Sequence, residues 1–269
     1  MKILGLATCY NRKEKTLYAL QRLVDGNKAI EFHFIIADDN SSDGTKKALE
    51  QLDNVQILSG NGSLFYSGGM RLAIGEALKA NEEYDYCMLF NDDVAFFDGA
   101  IEILSHKSNQ CIWVGPTCDE QGKLSYGGVI KKSLIRPKTE IVMASSKDGL
   151  KCHTFNANCV LIPWIIFRRI GNMDVAYSHS LGDFDYGFHA SKIGVEIRVS
   201  DTYVGKCCDN PASGSWRDKT LPRKKRLKLK ESPKGLPRRE WFHYLRKNYS
   251  ICTALVWSLI PYVKILFYN

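Results

Sequence analysis

The sequence predicts an α/β fold: a mixed, mostly parallel central sheet flanked by helices, followed by a basic helical C-terminal extension. Three observations carry this. Apolar runs alternate with helix-spaced segments through residues 2–90, each apolar run stops in a polar cluster, and the composition changes sharply near residue 209. Strands and helices alternating at this spacing build βαβ units, whose strands pair in parallel.

Each element has its own signal. Residues 2–8 are apolar and β-compatible, and in 11–24 Leu17, Leu20, Leu23 and Val24 fall at helical spacing. A second apolar run, 32–37, ends in Asp38-Asp39-Asn40-Ser41-Ser42-Asp43-Gly44-Thr45. Residues 46–52 favour a helix and 55–58 a third strand. Gly60-Asn61-Gly62-Ser63 and Ser67-Gly68-Gly69 read as loops; their Asn61, Gly62, Gly68 and Gly69 either let backbone approach a ligand closely or serve plain turns. A helix is expected over 70–80 and a fourth, buried strand over 84–90, stopping at Asn91-Asp92-Asp93. Beyond it, 112–116, 126–130, 159–163 and 195–199 read as short strands, with an acidic turn entering a helix over 181–194. Pro211, Pro222, Pro233 and Pro237 punctuate the last third, so the chain divides into residues 1–208 and an extension, 209–269.

Composition narrows the function classes. A chain of 269 residues with 45% hydrophobic content buries one large core or two small ones. The apolar stretch at residues 1–7 is too short for a secretory h-region and no cleavage-site pattern follows it, so a cytoplasmic location is expected. Nine scattered cysteines without a CxxC pair suit free thiols in a reducing compartment. Residues 206–247 hold fourteen Lys and Arg against four acids, a net +10 that exceeds the +8 of the whole chain. The basic character therefore belongs to the extension.

Four polar clusters follow predicted strand ends: Thr8-Cys9-Tyr10-Asn11, Asp38 to Thr45, Asn91-Asp92-Asp93 and Gly182-Asp183-Phe184-Asp185. Ligands of α/β sheets sit beyond the carboxyl ends of the strands. Adjacent carboxylates there are costly unless a cation or hydrogen bonds satisfy them, and hard oxygen donors suit Mg²⁺ or Mn²⁺ bridging to phosphate. Each cluster alone is equally an Asx turn or helix cap; Asp38 and Asp43 would suit an N-cap and turn pair.

In this order the clusters resemble family 2 glycosyltransferases of the GT-A (nucleotide-diphospho-sugar transferase) fold. Ile35-Ile36-Ala37-Asp38-Asp39 through Gly44-Thr45 is similar to their nucleotide-binding strand end, Asn91-Asp92-Asp93 to their DxD-type metal site, and Gly182-Asp183-Phe184-Asp185-Tyr186 to their ED-x-D segment. Asn156-Ala157-Asn158-Cys159-Val160-Leu161 resembles the acceptor-side loop. Gly214-Ser215-Trp216 and Ser232-Pro233-Lys234-Gly235-Leu236-Pro237 resemble the tail of bacterial polysaccharide-building members. The resemblance implies that Thr8, Tyr10, Asp38 and Asp43 contact the nucleoside, with Asp38 on a uracil or thymine edge. It implies Asp93 as ligand of Mg²⁺ or Mn²⁺ with Asp92 or Asn91 in support, Asp92 also on the nucleotide, Asp183 as general base, and Asn156, Asn158 and Asp185 on the acceptor side. Asp185 also suits a buttress or a helix cap. Arg71 contacts the nucleotide or lies solvated on a helix face.

The activity so implied is inverting transfer of a sugar from a UDP- or dTDP-sugar to a hydroxyl of a glycan or lipid-linked acceptor in surface polysaccharide synthesis. The alternatives are a sugar nucleotidyltransferase, whose Gly-rich phosphate loop Thr8-Cys9-Tyr10-Asn11 lacks, and a non-catalytic membrane-associated scaffold. This sequence departs from the family with Gly182 in place of Glu, and with Lys206-Cys207-Cys208 where relatives place a metal-binding His; Lys206 then supplies charge to the diphosphate. Tyr66, Trp113 and Asn156 to Asn158 would shape the donor and acceptor pockets. The basic segment carries no recognised nucleic-acid module. Residues 251–268 are apolar and aromatic but interrupted by Pro261 and Lys264, which suits a helix lying at an anionic membrane surface, peripheral on its cytoplasmic face.

Overall fold

β1 (Lys2–Cys9), α1 (Lys13–Gly26), β2 (Glu31–Asp38), α2 (Thr45–Leu49), β3 (Val55–Ser59), α3 (Phe65–Ala77) and β4 (Tyr86–Phe90) succeed one another in the computed structural model, which describes residues 1–208 and 212–267. Asp209, Asn210 and Pro211 at the expected domain boundary, and Tyr268 and Asn269 at the end of the apolar tail, lie outside the described residues. β1 pairs in parallel with β2 and β4, and β2 with β3. Parallel pairing places the carboxyl ends of all four strands on one edge.

The chain continues through β5 (Ala95–Phe96), α4 (Ala100–Ser105), β6 (Ile112–Val114), β7 (Thr117–Cys118), β8 (Leu124–Tyr126), β9 (Gly128–Lys131), β10 (Thr139–Val142), β11 (Leu150–Cys152), β12 (Thr154–Phe155), β13 (Cys159–Pro163), α5 (Trp164–Ile170), α6 (Gly182–Lys192), β14 (Ile197–Val199) and β15 (Gly205–Lys206). The extension supplies α7 (Arg223–Glu231), α8 (Arg238–Asn248), α9 (Ile251–Trp257) and α10 (Ile260–Phe267). The central sheet runs β11-β14-β6-β13-β4-β1-β2-β3, with β13 antiparallel to both β4 and β6, so it is mixed as expected. Every residue of β4 and β13 is buried, the pattern of strands covered on both faces. Alternation along β1 sends Leu4 and Leu6 to a core with Met70 and Ile74 of α3, and Ile3 and Ala7 to the opposite core with Leu20 and Leu23 of α1.

Three expectations change. Ser67-Gly68-Gly69 is not a loop but the first turns of α3. A Cβ on Gly69 would lie 2.1 Å from Thr8 Oγ1, so this glycine lets helix and strand touch. The strand expected over 126–130 divides at Gly127, where a side chain would meet the Val142 carbonyl at 2.8 Å; β8 and β9 belong to different small sheets. The tail is two short helices, α9 and α10, instead of one, and among the described residues no helix is long and apolar enough to cross a membrane. All nine cysteines are free, seven buried and two, Cys208 and Cys252, exposed.

The α3–β1 contact is testable. Gly69→Ala should destabilise the protein by about 1–3 kcal/mol through overpacking, seen as a lowered urea midpoint, and Thr8→Ala in the same chain should recover part of that loss.

Candidate active site

The carboxyl ends of β1, β2 and β4 are stitched together by their polar clusters. Asn11 donates its N–H to Ser41 Oγ (2.9 Å) and accepts from the Ser42 N–H at Oδ1 (2.8 Å). Asp43 accepts from the Lys13 N–H (2.9 Å), the Thr45 N–H (3.0 Å) and the Thr45 hydroxyl. Bonds from Thr45 and Lys13 hold its carboxyl below the usual range. Asp43, expected to touch the nucleoside, is thus the post that ties the start of α1 to the start of α2. Asp38 is 2% exposed at the end of β2 and accepts from the Ser41 N–H (3.2 Å) and the Cys9 thiol (3.6 Å). Its neighbour Asp39 accepts N–H groups of Gly62, Leu64 and Phe65 and so fixes the loop entering α3. Thr8 donates to the Ala37 carbonyl (3.0 Å), while Tyr10 stands exposed at the rim.

Sequence reading missed Arg12, although it identified the need that Arg12 meets. Its Nη1 donates to Asp92 Oδ1 (3.0 Å) and Asp93 Oδ2 (2.8 Å). Burial works against the guanidinium's charge, and the two carboxylates outweigh it, so its pKa rises. Asp92 is 4% exposed and also accepts from Thr16 Oγ1 (3.2 Å). Burial pushes it up to about 6 against the pull of Arg12, with Asp93 adding to the push. Asp93 is the more open of the two, its side chain 25% exposed. The group facing it from β15's end is Cys207, whose Sγ lies 3.8 Å from Asp93 Oδ1. Lys206, expected at the diphosphate, points instead to Glu120 (3.4 Å).

Asp183 enters from the first turn of α6. Its oxygens accept from the Phe184 N–H (2.8 Å) and the Ala157 N–H (3.2 Å), which seats it against the 156–158 loop. Burial pushes its carboxyl up to about 6 against those two backbone bonds. The same loop reaches the β4 cluster, since the Asn91 N–H donates to the Asn158 carbonyl (3.2 Å). Tyr66 lies within the field of Asp183, its phenol pushed far up by burial and then by that charge. Tyr66 Oη and Asn156 Oδ1 are buried without a hydrogen-bond partner, and unpaired buried polar atoms ask for an explanation such as a ligand. Asn158 is buried, with Nδ2 on Cys207 Sγ (3.3 Å). Gly182 has a local cause: a Cβ there would meet Ser67 Oγ at 2.3 Å, leaving no room for Glu. His179 accepts from the Tyr66 N–H (3.3 Å); burial, then Lys234 and Arg12, push it down to about 4. Lys234, from the Ser232 to Pro237 segment, therefore acts on His179 beside Tyr66. Trp113 does not; it is buried with its indole N–H on the Ser108 carbonyl (2.8 Å).

Two further candidate residues are held by protein groups. Arg71 donates to the carbonyls of Asp174 (3.0 Å) and Tyr177 (3.1 Å), fixing the segment before α6. Asp185, expected at the acceptor, is 2% exposed and accepts from Lys247 Nζ (2.6 Å) and Asn248 Nδ2 (2.7 Å) of α8. Lys247 also holds Asp174 (2.8 Å), which accepts from His243 (2.9 Å) as well. Removing one partner of a buried pair leaves a charge uncompensated. Lys247→Met should therefore cost about 3 kcal/mol in urea unfolding and expose the extension to protease, and Asp185→Asn added to it should recover part of the loss.

A divalent ion can be tested against these residues. Among the described residues no three His, Cys, Asp or Glu side chains converge as a closed cage. Mg²⁺ and Mn²⁺ at nucleotides need only one or two carboxylates, the remaining ligands being water and phosphate. Asp93 meets that requirement.

Residues 6–131 match the model of the family described as Glycosyl transferase family 2. A mannosyltransferase, PcManGT from Pyrobaculum calidifontis in complex with GDP-Man and Mn²⁺, superposes with TM-score 0.54 at 13% identity over 98% of this chain and 73% of its own. GalNAc-T7 with UDP, GalNAc and Mn²⁺ superposes with TM-score 0.56 at 9% identity over 91% of this chain, which spans 49% of the GalNAc-T7 chain. No curated protein matches the sequence. At these identities the superpositions speak for the fold, which is GT-A, and residues 6–131, a little under half of the chain, are similar to glycosyl transferase family 2.

Proposed function

We propose that the protein transfers a sugar, with inversion, from a UDP- or dTDP-sugar to a hydroxyl of a glycan or lipid-linked acceptor at the cytoplasmic face of a membrane, in surface polysaccharide synthesis. The observation that supports this reading is the chain of hydrogen bonds that ties the acids after β2 and β4 to α6: Asn11 on Ser41 beyond Asp38, Arg12 on Asp93, Asn91 on Asn158, and Ala157 on Asp183. Asp38 would take the nucleoside. Asp93 would hold the Mg²⁺ or Mn²⁺; such an ion supplies Lewis-acid stabilisation of the departing diphosphate. Mn²⁺ accompanies the nucleotide or nucleotide-sugar in both superposed structures, which supports a divalent ion here.

Asp183 is suited to remove the acceptor hydroxyl proton. Its carboxyl, lifted to about 6 by burial, is ionised near neutrality yet basic enough to take a proton. The Ala157 and Phe184 N–H groups fix its orientation. Arg12 brings a second positive charge to the diphosphate end, and Asn156 Oδ1 and Tyr66 Oη are polar atoms free to meet a sugar or acceptor.

Three measurements test this. UDP binding in wild type should strengthen with Mn²⁺, and Asp93→Ala should abolish that enhancement. Asp183→Asn should lower kcat by about 10²–10⁴-fold with UDP affinity unchanged. Because the deprotonated carboxylate is the active form, wild-type kcat should be constant above the Asp183 pKa and fall about tenfold per pH unit below about 6. Transfer that survives Asp183→Asn overturns the assignment of the base; UDP binding with no transfer to any acceptor favours the scaffold.

A further inference from the structure

The helices that end the extension are turned inside out. Backbone bonds from Tyr262 and Val263 to the Leu259 carbonyl carry α9 into α10 almost without a break. Along this path Thr253, Ala254, Ser258, Pro261 and Ile265 face inward and are buried. Leu255, Val256, Leu259, Val263, Leu266 and Phe267 face outward and are exposed, Phe267 by 75%. They recur at intervals of three and four, one continuous stripe. A helix on an aqueous surface normally presents its apolar stripe to the core and its polar side to water. Here Thr253, Ala254, Ser258 and Pro261 are inside with one large apolar residue, Ile265, and six large apolar residues are outside.

A second element joins this face. The segment between β9 and β10 carries Leu134 and Ile135 at its tip, 83% and 74% exposed. Thr253 Oγ1 of α9 donates to the Ile135 carbonyl (3.0 Å), so the tip lies against the helix. Exposed cations surround the combined patch: Arg136 and Lys138 beside the tip, Arg246 and Lys264 on the helices. Residues 131–139 and 241–267 contain no acid.

We infer that the β9–β10 tip and the outward stripe of α9 and α10 form one composite docking surface for an anionic lipid bilayer. Apolar residues enter the acyl boundary while the cations meet the headgroups, the balance that binds amphipathic helices to membranes. Charge decides against a second copy of the chain, because pairing this face with itself would bring two cationic rims together. The inference gives a physical site to the membrane face named in the proposed function, and it is tested without donor or acceptor.

The test uses the full chain and vesicles of phosphatidylcholine with and without phosphatidylglycerol. Wild type should pellet with the anionic vesicles and not with the neutral ones, and less so as salt rises. Leu134→Asp with Ile135→Asp should reduce pelleting by about tenfold or more, as should Leu255→Asp with Val256→Asp. Arg136→Glu with Lys264→Glu should do the same and flatten the salt dependence. Unchanged thermal melting confirms that each variant is folded, as expected for exposed positions. Pelleting of the tip variant at the wild-type level, pelleting indifferent to lipid charge, or a lipid-free wild-type dimer that the variants dissociate would each overturn the inference. Failure of sugar transfer with vesicle binding intact would instead count against the proposed function alone.

Discussion

Two carboxylates end the central strand β4, and the Arg12 guanidinium lies between them. Burying Asp92 beside Asp93 without a counter-charge would be prohibitive, since a like charge and desolvation act in the same direction. Arg12 resolves the conflict from the start of α1, so the end of β1, the first turn of α1 and the end of β4 hold one another in place. Thr16, a turn further along α1, takes the remaining side of Asp92. The guanidinium is 45% exposed, so its own contribution to stability is moderated by solvent, and its larger effect is on charge balance. One cation against two carboxylates leaves the cluster short of neutrality.

Position along α6 then divides the labour between two aspartates. Residues two apart on a helix do not share a face. Asp183 accordingly looks to the 156–158 loop and the crevice, while Asp185 looks to Lys247 and Asn248 of α8. The helix that carries the proposed base is therefore clamped from behind by the extension. Asp174 adds to the clamp: despite burial, Lys247 and His243 hold its carboxyl far below its ordinary value. The extension is thus part of what positions the crevice, even though its composition sets it apart from residues 1–208.

The legible and illegible parts of this structure separate by range of interaction. β1, β2, β4 and β13 were evident because strands buried on both faces are continuous apolar runs, whereas the edge strands β10 and β11 are short, largely exposed and carry no such run. Gly68 and Gly69 resemble turn glycines locally; only the packing of α3 on Thr8 distinguishes them. The acids at 38, 92, 93 and 183 were evident from their place after strands or before a helix. Arg12 was not, because a basic residue following a strand is ordinarily solvated. The partners of Arg71 and Asp185 were not evident, because the 174–177 carbonyls and α8 lie far away in sequence and leave no local pattern.

The same α8 links the two ends of the proposal. It grips Asp185 and Asp174 through Lys247, and it packs directly on α9, whose outer face is apolar. Lys131, at the base of the β9–β10 tip, donates to the Asn248 carbonyl (2.7 Å) and lies over the Tyr249 ring, so tip, α8 and α9 share one joint. A surface that seats on lipid through the tip and α9–α10 would therefore hold α6, and Asp183 with it, at a fixed height above the bilayer. Soluble acceptors do not need that constraint. An acceptor hydroxyl carried on a lipid does, because an in-line displacement tolerates only a narrow range of approach.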